Sequence, residues 1–265
     1  MENEVEKVPV LRLTEESVST IEDVVVREAP LTILLNDQEL VTLLCTPKDL
    51  KYLAVGFLFS EGLLSSRDDI TKVIVDDRRG VVRVQTGENK PPADEVVFKR
   101  LITTGCGRGA SFYSAADAQT QARIESDTSM STHQVLSLAN NFQHRSEVYR
   151  ATGGVHSAAL CDAESIIVFN EDIGRHNAVD KVFGECLLHD IPTDGRIAVT
   201  SGRISSEILL KVARRNIPIL ISKAAPTDLA VKLARDLGVT LLGFARGKRV
   251  NAYSNDWRIK HHGKQ

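Results

Sequence analysis

The sequence is poor in the features that mark a metalloprotein, a disulfide scaffold or a membrane protein. It has four cysteines, Cys45, Cys106, Cys161 and Cys186, and no two of them form a C-x-x-C pair. Zinc sites bring ligands in at short spacing and disulfide frameworks belong to small exported chains, so neither organises this fold and reduced thiols are expected. No apolar run approaches the ~20 residues of a membrane span. The opening Met1-Glu2-Asn3-Glu4-Val5-Glu6 is acidic where an export signal would be basic, so the expected location is cytoplasmic. Base is not in excess either, with 33 Lys and Arg against 35 Asp and Glu and a formal charge of −2. That balance does not indicate non-specific nucleic-acid binding and leaves any anionic ligand to a local pocket.

What is present suits two soluble domains: 265 residues, 42% hydrophobic and 26% charged. β-type runs at 31–35 and 39–45 flank Asn36-Asp37, and others at 73–75 and 81–84 flank Asp76 to Gly80, which reads as two hairpins. Thr46-Pro47 between them has the form of a helix start, with the helix running to about Leu63. A strand is expected over 94–102 and a helix over 111–124, followed by the polar connector 125–132. This gives an N-terminal extension at 1–25, a small α+β domain at 26–125 and a second domain at 133–265. In the second domain a helix over 133–149 precedes strands at 155–161 and 165–169 and a helix over 174–188. Strands at 196–200, 217–222 and 240–244 then alternate with helices at 205–215 and 226–237, which predicts an α/β domain whose later strands are parallel.

One thiol stands apart. Cys45, Cys161 and Cys186 have apolar neighbours and read as small buried hydrophobes, whereas Cys106 lies in Thr103-Thr104-Gly105-Cys106-Gly107-Arg108-Gly109-Ala110. The glycines strip away packing and free the backbone, and Arg108 favours the nucleophilic thiolate. In α/β sheets, ligands gather where strands end and helices begin, because unpaired N–H donors converge there. Three polar segments fall at such points: Asn170 to Lys181, Thr200 to Glu207, and Ser222 to Thr227. Each carries a cation (Arg175, Arg203, Lys223), and Ser201, Gly202 and Arg203 combine a hydroxyl, close backbone approach and a bidentate cation, a set suited to phosphate. Taken singly, Ser205 and Asp172 read equally well as helix caps, and His176 with Asp180 as a structural i,i+4 pair. Gly243-Phe244-Ala245-Arg246-Gly247-Lys248-Arg249 leaves the last strand as a three-cation loop, which alone would be a solvated exit from the sheet. His156 opens a strand after Gly153-Gly154-Val155, and a lone histidine there is more often structural than catalytic. A zinc nucleobase deaminase needs H-x-E and P-C-x-x-C, and neither occurs around His156-Ser157-Ala158.

Taken together, Gly105-Cys106-Gly107, Thr152 to Ala159, the run Glu171-Asp172-Ile173-Gly174-Arg175-His176-Asn177-Ala178-Val179-Asp180-Lys181, Ser201-Gly202-Arg203 and Ala225-Pro226-Thr227 closely resemble the FdhD/NarQ family of formate dehydrogenase accessory sulfurtransferases. The likeness runs from about Pro30 to Tyr253. It implies a cytidine-deaminase-like three-layer domain without zinc. It also implies a sulfur carrier that takes persulfide sulfur from a cysteine desulfurase on Cys106 and passes it to the molybdenum bis-molybdopterin guanine dinucleotide cofactor before insertion into formate dehydrogenase. On this resemblance, Phe244, Ala245, Arg246, Gly247, Lys248 and Arg249 match the cofactor-binding segment. Ser201, Gly202, Arg203, Arg175, His176 and Lys223 complete the expected cradle, and a homodimer is expected if two guanine nucleotide halves bind symmetrically. Many members carry C-G-x-C-G, whereas the position three after Cys106 is Gly109, which removes any relay between two loop cysteines. Competing readings are a cofactor-binding chaperone in which Cys106 is incidental, and a thiol hydrolase or transferase using Cys106 with His156 or His176.

Overall fold

The computed structural model describes residues 3–87 and 121–260, together with the backbone of 101–102 and 110–111. The chain opens as an antiparallel ribbon of β1 (Val5–Leu13) and β2 (Val18–Val26). β3 (Ala29–Leu35), β4 (Gln38–Cys45), β5 (Ile70–Asp76) and β6 (Val81–Thr86) form a four-stranded sheet in the order β4-β3-β6-β5, with α1 (Leu50–Ser60) between β4 and β5. A short pair, β7 (Leu101–Ile102) with β8 (Ala110–Ser111), precedes β9 (Met130–Ser131), α2 (Thr132–Arg145) and α3 (Glu147–Thr152). The larger sheet has the order β11-β10-β12-β13-β14-β15. Its strands are β10 (His156–Cys161), β11 (Ile166–Asp172), β12 (Ile197–Thr200), β13 (Ile219–Ser222), β14 (Thr240–Arg246) and β15 (Arg249–Ser254). The helices α4 (Arg175–Leu188), α5 (Ser206–Ala213) and α6 (Asp228–Asp236) link them, and β16 (Ile259–Lys260) returns to pair with β9.

The hairpins follow from local chemistry. Asn36 and Asp37 both take positive φ, 49° and 65°, the conformation a two-residue β-turn demands. β12, β13 and β14 are parallel and their cores are buried on both faces, which is why they read as continuous apolar runs. One face of the large sheet (Ala159, Val199, Ile221) packs on Val135, Leu138 and Phe142 of α2. The other face (Leu160, Ala198, Leu220) packs on α4, α5 and α6, in a core continuous with α1 and with Leu31 and Ile33 of the small sheet. The join between the sheets is a helix crossing of backbone on backbone. A Cβ at Gly56 of α1 would lie 1.7 Å from the Asp180 carbonyl oxygen, and one at Gly184 of α4 would lie 2.0 Å from that of Tyr52.

Several boundaries differ from the sequence expectation. Thr46 and Pro47 do not start α1. Asp49, with φ 53°, stands before it, while Thr46 bonds across to the large sheet. The single helix expected over 133–149 is two, broken at Ser146, whose hydroxyl accepts from Tyr149 N–H and whose proton is directed to Glu171. The chain does not leave the sheet after Phe244. It turns at Gly247 (φ 59°) into β15, which the sequence reading lacked. Of the helix expected over 111–124, Ser111 is extended and 121–124 are not helical, and the remainder lies outside the described residues. Within the N-terminal extension, residues 5–25 supply nearly the whole β1–β2 ribbon.

Candidate functional site

β11, β12 and β13 end where the antiparallel β10 begins, so His156, Asp172, Thr200 and Ser222 meet at one end of the sheet. A cavity of about 430 Å³ opens there, lined by Phe142 of α2, Ser146 between the helices and Tyr149 of α3, by Gly153 to Ser157, and by Ile173, Ser201 and Lys223. Ser201 is fixed by two bonds: Ser157 N–H donates to its Oγ at 2.9 Å, and its own N–H donates to the Ser157 carbonyl at 3.0 Å. His156 Nδ1 lies 3.2 Å from the same Oγ. Having accepted from the amide, the Ser201 hydroxyl has its proton to give to Nδ1, the arrangement that leaves Nε2 as the N–H of a neutral ring. Burial, then the nearby Arg175 charge, hold His156 below the usual histidine range.

The cations converge from three strand ends. Arg175 lies across Gly202, where a Cβ would stand 2.8 Å from its own Cβ, so glycine at 202 lets the arginine approach. Lys223 lines the cavity and is held below the usual lysine range by burial and by the charge of Arg246. Arg246 in turn lies 5.7 Å from the centre of the Phe244 ring. Arg203, Arg246, Lys248 and Arg249 are exposed. Phe244 takes φ 53° and its N–H donates to the Ala224 carbonyl at 3.1 Å, which carries the β14–β15 hairpin toward Lys223. Ala245 is turned the other way, into the α2-side core, at 1% exposure.

The run Glu171 to Lys181 divides into two parts. Asp172, fully buried, accepts from Thr46 N–H at 3.1 Å, Gly174 N–H at 2.9 Å and Asn177 Nδ2 at 2.9 Å, and pairs with Lys181 at 2.8 Å. Lys181 also donates to the carbonyls of Thr46 and Glu171, and Asn177 to that of Leu44. Asp180 accepts from Ser60 Oγ at 2.6 Å and pairs with Lys211 at 2.6 Å. These residues lock the small sheet and α1 onto the large sheet. His176 belongs behind the cavity rather than in it. Its nearest acid is Glu207, with Nε2 3.4 Å from a carboxylate oxygen but not hydrogen-bonded to it, and not Asp180. Burial, then Lys211 and Arg175, push its pKa down to about 3, so the ring is neutral.

Four residues that the sequence reading left out of the cradle belong to this cavity: His156, Glu171, Ser146 and Ser157. His156 reaches the cavity, and Glu171 is bonded by the hydroxyls of Ser146 and Ser157, both on the cavity wall. Burial raises the Glu171 carboxyl above the usual range, opposed by the Ser146 hydroxyl and Lys48. The position of Gly153-Gly154 before His156 was the available signal. Cys45, Cys161 and Cys186 are buried, with thiols pushed up to about 12 chiefly by burial. Cys106, its flanking glycines and Arg108 lie outside the described residues. Among the described residues no cluster of His, Cys, Asp and Glu could hold a metal ion, and no helix is long and apolar enough to cross a membrane.

Comparison with known proteins matches this architecture throughout. The sulfur carrier protein FdhD of Bacillus pumilus is 42% identical over 237 residues, covering 89% of this chain and 90% of its own. That of Bacillus subtilis is 41% identical over 251 residues, covering 95% and 96%. Among solved structures, a Desulfotalea psychrophila protein described as a formate dehydrogenase accessory protein superposes with a TM-score of 0.80 at 26% identity, covering 97% of this chain and all of that one. The family model for FdhD/NarQ matches residues 26–260, from the end of the ribbon to β16, and the chain belongs to the FdhD/NarQ family.

Proposed function

We propose that this protein is a sulfur carrier that binds a guanine-dinucleotide molybdenum cofactor as its substrate at the strand ends and sulfurates it from Cys106. The observation that carries the cofactor half is the convergence of His156, Ser201 and Lys223 on one cavity, with Arg175, Arg203 and Arg246 around it. A donor-rich, cationic pocket of this kind suits phosphates, and a bis-dinucleotide carries several. The β14–β15 hairpin would hold part of the same polyanion through Arg246, Lys248 and Arg249. Membership of a family whose relatives are named sulfur carriers supports the other half, and Cys106, in its glycine setting, is the thiol suited to it.

In the sulfur step, the Cys106 thiolate attacks the outer sulfur of a desulfurase persulfide. The new S–S bond gives Cys106-S-SH and the desulfurase thiolate leaves, with no net redox change. Delivery of that sulfur as sulfide takes two further electrons, from a thiol reductant. Formate dehydrogenase is then the client, and the protein acts in the cytoplasm between the two enzymes. The homodimer expected from two nucleotide halves belongs to the same reading.

Mass spectrometry of peptides after incubation with a cysteine desulfurase and free cysteine tests the carrier role. The Cys106 peptide gains one sulfur and the peptides of Cys45, Cys161 and Cys186 gain none. If Cys106→Ser still supports full formate dehydrogenase activity, the protein is a cofactor chaperone and the sulfur role falls.

A further inference from the structure

β1 and β2 pair only with each other among the described residues. Two hydrogen bonds fix which backbone groups face inward: Thr14 N–H to the Ser17 carbonyl at 2.9 Å and Arg27 N–H to the Glu4 carbonyl at 2.8 Å. Alternation of antiparallel pairs between them then turns Val18, Thr20, Glu22 and Val24 outward on β2, and Lys7, Pro9 and Leu11 outward on β1. The two edges are not equivalent. Pro9 sits mid-row on β1 and has no N–H, so that edge is blunted. On β2 the amides of Val18, Thr20 and Glu22 remain available, and the row ends at Val24, whose N–H is taken by Asp23 Oδ1 at 2.8 Å.

The open edge has apolar and acidic character. Leu13 and Val18 face each other at 68% and 66% exposure, with Leu11 on the same face at 61%. A concentration of exposed apolar side chains on a two-stranded ribbon, itself marginal alone, marks a surface that another chain covers. From Thr14 to Val26 the ribbon carries Glu15, Glu16, Glu22 and Asp23 and no basic residue; Glu22 meets Lys7 of β1 at 2.8 Å in an exposed pair of the kind worth about 0–1 kcal/mol, and Asp23 has no cation partner among the described residues. Pairing β2 with β2 of a second copy would offer these acids no opposite charge, since 14–26 carries none, whereas a basic segment supplies it.

We propose that the free edge of β2 docks an extended, basic segment of another protein by strand addition, with basic side chains beside Glu22 and Asp23 on the two faces and apolar ones beside Val18 and Ile21. The ribbon is rooted on the cavity wall. A Cβ at Gly154 would lie 2.6 Å from Val26 Cγ1, and Glu4 pairs with Lys48 at 2.8 Å. At ~3.3 Å per residue the docking row lies roughly 13–26 Å along the strand from that root, so a partner held there is presented to the site.

The test titrates the full-length protein with two fluorescein-labelled decapeptides of alternating Val and Thr, one with a central Lys-Arg and one with a central Glu-Asp. The Lys-Arg peptide binds more tightly by about tenfold. Thr20→Pro removes only an outward amide and weakens that binding by about tenfold, and the pair Glu22→Lys with Asp23→Lys reverses the preference. In hydrogen exchange, the amides of Val18, Thr20 and Glu22 slow on adding peptide while those of Ser19 and Ile21 do not change. Absence of binding, equal binding of both peptides or indifference to Thr20→Pro overturns the proposal. Concentration-dependent protection of those three amides without peptide also overturns it, in favour of a second copy.

Discussion

Lys211 meets Asp180 at 2.6 Å with almost no access to water, whereas Lys223, on the neighbouring segment of the same domain, is half-buried in a cavity wall with no carboxylate paired to it among the described residues. Both lysines follow from the same sheet, and the motif Glu171 to Lys181 contributes to both settings. Asp172, Asn177, Asp180 and Lys181 face inward and Arg175 faces the strand ends. Buried charge is tolerated only when paired, because desolvation without a partner costs several kcal/mol. A cation kept partly desolvated and unpaired, beside further cations, belongs where a ligand brings the opposite charge. The inward set is therefore architecture, and on the proposed function the outward set is recognition.

The comparison breaks first at the inward pair. Lys211→Met leaves Asp180 uncompensated and is expected to cost about 3–5 kcal/mol, a fall in Tm on the order of 10 °C. Asp180→Leu combined with Lys211→Met restores much of it, since most of the loss is that of the stranded Asp180 charge, and Glu61, 3.9 Å from Lys211, stays without that cation. Thermal melts followed by circular dichroism decide the matter. If the single variant loses under about 1 kcal/mol, the inward set is not what joins the two sheets.

A second, smaller effect sharpens the boundary between the two sets at His176. Its pKa of about 3 lies below the ordinary value of 6.5, so between those pH values the unfolded chain binds a proton that the folded chain refuses. Stability from this group is complete above pH 6.5 and falls as the pH drops toward 3, by up to about 1.4 kcal/mol per pH unit. His176→Gln should flatten the loss of stability measured by urea titration across that window. An unchanged slope would mean that burial beside Lys211 and Arg175 does not hold the ring neutral.

How much of this was legible from sequence depended on how local the cause was. The Asn36-Asp37 turn, the cap at Ser205 and the apolar runs of the parallel strands announce themselves within a few residues, whereas the cap at Thr227 was read as the second residue of a helix starting at Pro226. The roles of Thr46 and Asp180 did not, because their partners lie over a hundred positions away for Thr46 (Asp172) and Asp180 (Ser60). Thr46 carries a helix-start signal that a long-range contact to Asp172 overrides, and an i,i+4 spacing suggested His176 with Asp180 where the fold supplies Glu207 and Lys211 instead. For the site, the cations were visible as residues at strand ends. His156 was discounted because a single histidine carries no spacing, and only the sheet places it 3.2 Å from Ser201.

The smallest and most selective effect is expected at Lys223. Because among the described residues it is neither paired with a carboxylate nor part of the inward lock, Lys223→Ala should leave stability within about 0.5 kcal/mol of the parent. Affinity for GDP, used as half of the proposed dinucleotide and measured by calorimetry, should fall by about tenfold, the worth of one charged hydrogen bond to phosphate. Lys211→Met, read at a temperature where it remains folded, should bind GDP nearly as the parent does. That crossed outcome separates the two sets: one lysine moves stability and not binding, the other binding and not stability. If Lys223→Ala lowers Tm as Lys211→Met does while GDP binding is unchanged, the cavity cations are structural and the phosphate reading of the strand ends is wrong.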